Sequence, residues 1–295
     1  MALVVVSIPA YNEKDTIGKV ILEIKRVMSS IGYNFKILVV DDGSIDGTAK
    51  VARESGAVVF SHPINYGLAE TFKTEMEKAI EMKADIIVHM DADGQYVADE
   101  IPKLVKAVEE GNDLVLGNRL SMTLKHMPLI KRFGNKAFSR VISQVTGLNI
   151  KDAQTGFRAF TRDVAEKVEI KSLHTYTQEQ IIRAAKCKFR IKEIPITFRE
   201  RISGKSRLVK NPFEYAVKAW VNIFRIYRDY KPLKFFSIFG FVFLIAGFAI
   251  GLFILYSLYK TGTVGGLPRV MLSVLLLSIG MQIILFGFLA DILRK

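Results

Sequence analysis

The sequence predicts a three-layer α/β head with a mostly parallel sheet, followed by two transmembrane helices. Short apolar runs alternate with amphipathic helical stretches through most of the chain. Acidic turns close several of those runs. Near the C-terminus the uncharged runs Phe235 to Tyr259 and Val270 to Ala290 are each long enough to cross a hydrocarbon core as a helix.

Leu3 to Ile8 reads as a buried strand, and Thr16 to Met28 follows with helical periodicity. Lys36 to Val40 is a second strand, with a helix expected over Asp46 to Glu54. Val58 to Phe60, Ile86 to Met90 and Leu114 to Leu116 are further strands, separated by helices near Leu68 to Met82 and Asp99 to Glu109. A helical stretch follows from Val164, then Glu179 to Ala185, then a strand-like Phe189 to Phe198. Ligands of such sheets sit beyond the carboxyl ends of the strands, where Asp41, Asp42, Asp91 and Asp93 fall. Neither a Gly-x-Gly-x-x-Gly turn after the first strand nor a Gly-x-x-x-x-Gly-Lys-Ser/Thr loop is present, which removes the usual support for dinucleotide or P-loop binding.

The 295 residues hold one soluble domain of roughly 200 residues plus two spans. The expected division is a head over 1–209, a basic amphipathic juxtamembrane segment over 210–234 and an anchor over 235–295, with spans 235–259 and 270–290. The net charge of +13 is uneven, with a basic excess between Lys186 and Lys234. That excess leads into the membrane segment, so anionic lipid headgroups and diphosphates explain it at least as well as nucleic acid, which is not expected as a partner. The positive-inside rule places the head in the cytoplasm, and two spans return Arg294-Lys295 to the same side. Met1 to Pro9 has no basic leader, so a cleavable signal peptide is not expected. Cys187 is the only cysteine, which leaves no intrachain disulfide. The spans leave a homo-oligomer open and fix no subunit number.

Pro9-Ala10-Tyr11-Asn12-Glu13 follows the first strand, where Tyr11 can pack near a base and Glu13 can orient it or bind a ribose. A plain strand-to-helix turn with a helix-starting acid fits equally well. Asp41-Asp42-Gly43-Ser44 is a second acidic turn; alone it reads as a turn and cap, but two such turns at one sheet edge favour ligand binding. Asp91, Asp93 and Gln95 are the sharper signal, because Ile86-Ile87-Val88-His89-Met90 looks buried immediately before them. Asp93 and Gln95 can ligate Mg2+ or Mn2+, and Asp91 can reach the metal or, in a bound sugar nucleotide, the sugar and ribose; such an ion can bridge the two adjacent phosphates of that ligand. His89 belongs to the strand and reads as a packed histidine.

Arg119 can reach phosphate, and Lys131-Arg132 with Asn135 lie on a following segment that can close over the cleft, although surface solvation fits each. Arg199, Arg201, Lys205 and Ser206 surround Gly204 just before the membrane and can hold a lipid phosphate; headgroup attraction without catalysis is the alternative. Glu179 near the start of a helix is a candidate for orienting the acceptor, against an ordinary helix N-terminal role. A phosphate monoester acceptor already carries an anionic oxygen, so positioning and charge compensation matter more than proton removal.

Four segments together, Pro9-Ala10-Tyr11-Asn12-Glu13, Val39-Val40-Asp41-Asp42-Gly43-Ser44-Ile45-Asp46-Gly47-Thr48, Asp91-Ala92-Asp93-Gly94-Gln95 and Gln154-Thr155-Gly156-Phe157-Arg158-Ala159-Phe160, carry a family resemblance over roughly Val4 to Leu208. The chain resembles the polyprenyl-phosphate sugar synthases, dolichyl-phosphate mannose synthases among them, of the inverting family-two glycosyltransferases. That resemblance implies a nucleotide-sugar-binding GT-A-like domain. It implies that Tyr11, Glu13 and Asp41 contact the nucleoside. Asp91, Asp93 and Gln95 would organise metal and diphosphate, and Arg119, Arg132 and Arg201 would surround phosphate. The implied reaction is attack by a dolichyl or polyprenyl phosphate oxygen on the anomeric carbon of a nucleotide-diphosphate sugar. GDP-mannose is the leading donor, but Gly94 stands where mannose synthases commonly carry an apolar residue, and the Asp-Gly-Gln form also resembles relatives using UDP-glucose or similar donors. Lys136 departs from the small hydroxyl residue expected after Arg132. A processive polysaccharide synthase and a membrane-tethered sugar-nucleotide binder without turnover are the rival readings.

Overall fold

The computed structural model describes residues 2–121, 129–172, 176–199, 221, 223–264 and 266–293. They fall into two compact units, Met1–Pro212 and Phe213–Lys295. In the first, the strands β1 (Leu3–Ala10), β2 (Asn34–Asp41), β3 (Val58–Ser61), β4 (Ile86–His89), β5 (Leu114–Asn118), β6 (Arg158–Thr161) and β7 (Ile191–Pro195) form one sheet. Their order is β3-β2-β1-β4-β6-β5-β7. The helices are α1 (Lys14–Ile31), α2 (Thr48–Glu54), α3 (Leu68–Glu81), α4 (Ile101–Glu109), α5 (Leu129–Thr146), α6 (Arg162–Lys167) and α7 (Thr177–Lys186).

The period-two alternation of β1 divides its side chains between two faces. Val4, Val6 and Ile8 join Val39 of β2, Ile17, Ile21 and Ile24 of α1 and Leu104 and Val105 of α4 in one apolar cluster. On the opposite face α3 packs over β1 and β2. Helices on both sides of the sheet give the three layers that the alternating pattern predicts. All four residues of β4 are buried, which is why it reads as a continuous apolar run.

The sheet is mixed. β1 pairs in parallel with β2 and β4, β2 with β3, and β5 with β7, whereas β6 runs antiparallel to both β4 and β5. The patterning misses β6 because it is short and opens on Arg158, a residue that breaks any apolar run. The strand expected over Phe189 to Phe198 is shorter, with Phe198 forming an isolated antiparallel bridge to Tyr96. Pro195 ends the paired stretch. Helix α2 begins at Thr48 rather than Asp46, because the Asp46 carboxylate accepts from Thr48 N at 2.9 Å and Thr48 Oγ1 at 2.6 Å.

In the second unit, Pro232–Thr261 and Leu267–Ile292 are helices long and apolar enough to cross a membrane, each extending slightly past the expected span. Residues 223–230 are also helical. The two long helices pack antiparallel along small residues one heptad apart. A Cβ on Gly280 would lie 2.8 Å from the Gly240 carbonyl oxygen, and one on Gly247 would lie 3.0 Å from the Ser273 carbonyl oxygen. Ser273 Oγ donates to the Gly247 carbonyl at 2.7 Å, which satisfies a hydroxyl that lipid would leave unpaired.

Candidate active site

The parallel strands bring the first two motifs to one sheet edge. Ala10 at the end of β1 pairs with Asp41 at the end of β2, and Asp42 N donates to the Ala10 carbonyl at 2.8 Å. Pro9 lies within β1, opposite Val40. The loops beyond them are laced together: Asn12 N donates to Ser44 Oγ at 2.8 Å, Ile45 N to Asn12 Oδ1 at 3.0 Å, and Glu13 N to Thr48 Oγ1 at 2.9 Å. Thr16 Oγ1 donates to the Glu13 carboxylate at 3.1 Å, and the Tyr11 ring is exposed beside it in the chain.

The adjacent carboxylates Asp41 and Asp42 have different surroundings. Asp42 accepts from Tyr66 N and Gly67 N, each at 2.9 Å, and lies 2.8 Å from His62 Nδ1, so it fixes the loop between β3 and α3. Gly43 has φ +74°, and a Cβ there would sit 2.5 Å from the Ile64 carbonyl carbon. Only glycine fits this turn. Asp41 is buried, and its Oδ1 has no hydrogen-bond partner among the described residues. A buried carboxylate oxygen without a donor carries a desolvation cost that a ligand N–H or hydroxyl would offset.

The acidic turn follows β4. Asp93 is buried, and its Oδ1 accepts from Gln95 N at 3.1 Å across Gly94, whose φ is +72°. This left-handed position accounts for glycine where an apolar side chain would be strained. Gln95 is held from the other side, its carbonyl accepting from Arg199 N at 2.8 Å. Asp91 packs against Gly156, where an added Cβ would lie 2.9 Å from Asp91 Oδ2. Gly156 N donates to the Tyr96 hydroxyl at 2.9 Å, and burial pushes the Tyr96 phenol up to about 12. Among the described residues no three His, Cys, Asp or Glu side chains are grouped to hold a metal by themselves. Mg2+ is usually bound by one or two carboxylates together with substrate phosphates, so Asp91, Asp93 and Gln95 fit an ion completed by a diphosphate.

Arg119 follows β5 and is committed to Asp152. Its Nε, Nη2 and backbone N donate to that carboxylate at 2.8, 2.9 and 3.1 Å, and Asn135 Nδ2 donates at 2.9 Å. Burial opposes the charge on Asp152, but the bonds and charge of Arg119, helped by Asn135, hold its carboxyl below the usual range. Burial likewise opposes the charge of Arg119, and the hydrogen bonds and charge of Asp152 hold the guanidinium protonated. The guanidinium lies 5.4 Å from the Phe198 ring centroid. Glu193 holds the same loop by accepting from Lys151 N and Asp152 N.

The remaining expected residues are dispersed. Asn135 is buried on Asp152 instead of closing over the cleft. The Arg199 guanidinium reaches Glu23 on α1 at 3.4 Å, because the short pairing at Gln95 and Tyr96 fixes its backbone there. Glu179 accepts from Lys171 N, Ser172 N and Arg183 Nε, which makes it a clamp on the segment before α7. Arg201, Lys205, Ser206 and the side chains of Lys131 and Arg132 lie outside the described residues. Sequence reasoning missed Asp152 and Tyr96, neither of which sits in a strand-end acidic motif. It also gave no role to Arg158, although the motif containing Arg158 was in view.

Three acidic or polar turns on one edge of a mixed α/β sheet define the protein class. Residues 5–169 match the model for glycosyl transferase family 2, and the chain belongs to that family. It is similar to dolichyl-phosphate hexose transferase of Haloferax volcanii, with 33% identity over 205 residues, covering 69% of this chain and 84% of that one. It is also similar to UDP-N-acetylglucosamine--dolichyl-phosphate N-acetylglucosaminyltransferase of Methanococcus voltae, with 32% identity over 219 residues, covering 66% and 84%. Among solved structures, glucosyl-3-phosphoglycerate synthase from Mycobacterium tuberculosis, in complex with Mn2+, UDP-glucose and phosphoglyceric acid, shares the fold. The TM-score is 0.59 at 18% identity, over 75% of this chain and 79% of that one.

Proposed function

We propose that this protein transfers a hexose from a nucleoside diphosphate sugar to the phosphate of a dolichyl or other polyprenyl lipid, with inversion at the anomeric carbon. The observation that carries the reading is the buried Asp41 Oδ1, without a partner among the described residues, at the sheet edge shared with the Asp93-Gly94-Gln95 turn. Tyr11, Glu13 and Asp41 bind the nucleoside, and the loop that Asp42 fixes shapes that end of the cleft. Asp91, Asp93 and Gln95 would hold Mg2+ or Mn2+, which when bound would supply positive charge for the departing diphosphate. Arg132 steadies phosphate oxygens, and Arg201, Lys205 and Ser206 receive the lipid phosphate, with Arg199 at the start of that segment, while Arg119, paired with Asp152, holds the loop around Asp152. The acceptor oxygen forms the new bond to the anomeric carbon as the bond to the diphosphate breaks, and the nucleoside diphosphate leaves. The acceptor is already anionic, so orientation and charge compensation supply most of the rate.

Of the two donor classes the motifs admit, a UDP-sugar gains support from the relative named for UDP-N-acetylglucosamine, whereas the relative named for a hexose fits either class. The Asp93-Gly94-Gln95 sequence points the same way, because it resembles relatives that use UDP-glucose or similar donors. The head and C-terminus face the cytoplasm, and the two apolar helices anchor the head at the surface where its acceptor lies. Purified full-length protein, given a polyprenyl phosphate, Mg2+ or Mn2+ and labelled UDP-glucose, UDP-N-acetylglucosamine or GDP-mannose in separate reactions, tests this. A lipid-linked monosaccharide from a UDP-hexose is expected. GDP-mannose as the only productive donor would overturn the donor assignment. No lipid-linked product from any of them, or a long polymer, would overturn the function.

A further inference from the structure

The Gln154 to Phe160 motif contains a buried device that the proposed chemistry does not use. Arg158 is fully buried, and the oxygens around its guanidinium are all neutral. Nε and Nη2 donate to the Thr155 carbonyl at 2.9 and 2.8 Å, and Nη2 also reaches the Ala153 carbonyl at 3.4 Å. Nη1 donates to the Thr177 carbonyl at 2.8 Å and to Gln180 Oε1 at 3.0 Å. Burial lowers the pKa of this guanidinium, so the site spends favourable bonding on holding a charge that, among the described residues, forms no ion pair. One side chain thereby ties the 153–155 loop to the first turn of α7.

A second chain of contacts runs from α7 to β4. Tyr176 stacks on Phe72 with ring centroids 3.9 Å apart, and its ring lies 5.4 Å from the Arg158 guanidinium carbon. Its hydroxyl is 2.6 Å from His89 Nε2, and His89 Nδ1 is 2.7 Å from Glu75 Oε2. Burial raises the Tyr176 phenol well above its ordinary value, so the hydroxyl keeps its proton in this buried Tyr176–His89–Glu75 chain. His89 ends β4 immediately ahead of the Asp91 turn, and Asp91 itself rests on Gly156 with no room for a Cβ between them. Both chains of contacts therefore converge on Asp91.

We propose that Arg158 and Tyr176 are positioning residues that lock the 153–157 loop and the start of α7 against the Asp91 turn, holding the diphosphate end of the donor in place for attack. The inference rests on the assignment of Asp91 to the diphosphate given above. It predicts a split between turnover and nucleotide affinity, because the nucleoside end is anchored separately on the β1 and β2 turns.

Tyr176→Phe removes one oxygen and keeps the ring stack, while Arg158→Lys keeps the charge and removes the fork. With the full-length protein, kcat is expected to fall about tenfold in Tyr176→Phe and about 100-fold in Arg158→Lys, with affinity for the free nucleoside monophosphate, which reports the nucleoside end, within about twofold of the parent. If Arg158→Lys does not fold, Tyr176→Phe decides the matter. Hydrogen exchange supplies an activity-independent reading: in Tyr176→Phe it should speed up at 89–96 and 153–157 as well as at 176–182. A folded variant with kcat within about twofold of the parent, or nucleoside monophosphate affinity falling in step with kcat, would overturn the proposal. So would faster exchange confined to 176–182. Absence of turnover in the parent would strike the proposed function instead, and the exchange measurement would still decide this inference.

Discussion

Replacing Asp152 by Asn tests the ion pair that holds Arg119. Asp152 is fully buried and the Arg119 side chain is 14% exposed, so the substitution leaves a guanidinium in a dry site facing a neutral amide. Breaking a buried pair by removing one charge costs about 3–5 kcal/mol. Asn keeps one acceptor oxygen for the Arg119 and Asn135 donors, so the expected loss is at the lower end, about 3 kcal/mol. For a domain of this size each kcal/mol shifts Tm by about 2–4 °C, so Tm of the head should fall by roughly 6–12 °C. The assay is thermal unfolding of the purified full-length protein followed by circular dichroism, for the parent, Asp152→Asn, Arg119→Met and the double variant. The double variant should lose less than the sum of the two single losses, because each single variant already breaks the pair. The pair also fixes a pH signature. The Asp152 carboxyl is lowered in the folded state, so its contribution is complete above the unfolded carboxyl value of about 3.9 and is lost as pH falls through the folded value. The difference between parent and Asp152→Asn should stay level from pH 7 to about 5 and shrink only below about 4. A Tm change under about 2 °C, or strictly additive losses, would refute the reasoning.

Gly43→Ala should destabilise the head by about 1–3 kcal/mol, read from urea unfolding, since a left-handed φ of +74° is combined with a Cβ 2.5 Å from the Ile64 carbonyl carbon. Because the proposed site puts the nucleoside beside the same loop, nucleotide affinity should fall too, measured by calorimetric titration. Gly280→Leu should open the apolar hairpin, whose backbones approach at Gly240 and Gly280, and lower the mole fraction of SDS needed to unfold that unit. Asp93→Asn should abolish metal-dependent turnover while leaving folding and membrane insertion intact, and near-normal metal affinity and turnover in that variant would reject its assignment as a ligand.

The parts of the fold visible in the sequence are those that local chemistry determines. Val4-Val5-Val6 and Ile86-Ile87-Val88 are β-branched runs that fit only buried strands, and the uncharged runs near the C-terminus are long enough to announce their helices. The turns after β1, β2 and β4 were legible because parallel topology puts strand ends on one edge. Strand β6 was hidden because its place depends on pairing with β4 and β5 rather than on its own four residues. Asp41 and Asp42 show the limit of motif reading. The same side chain twice in succession gives one oxygen without a partner and one carboxylate occupied by the loop between β3 and α3. Asp152 was invisible because its meaning lies in Arg119, far away in the chain and close only after folding.

The central claim is that the acceptor is a lipid phosphate and that only the sugar is transferred. The direct measurement is a single reaction of the full-length protein with a polyprenyl phosphate and a UDP-hexose carrying an α-linked sugar, in which the released nucleotide and the anomeric configuration of the lipid product are determined together by NMR. The account predicts nucleoside diphosphate in equal amount to a β-linked hexosyl phosphate lipid. Release of nucleoside monophosphate, or an α-linked product, would contradict it.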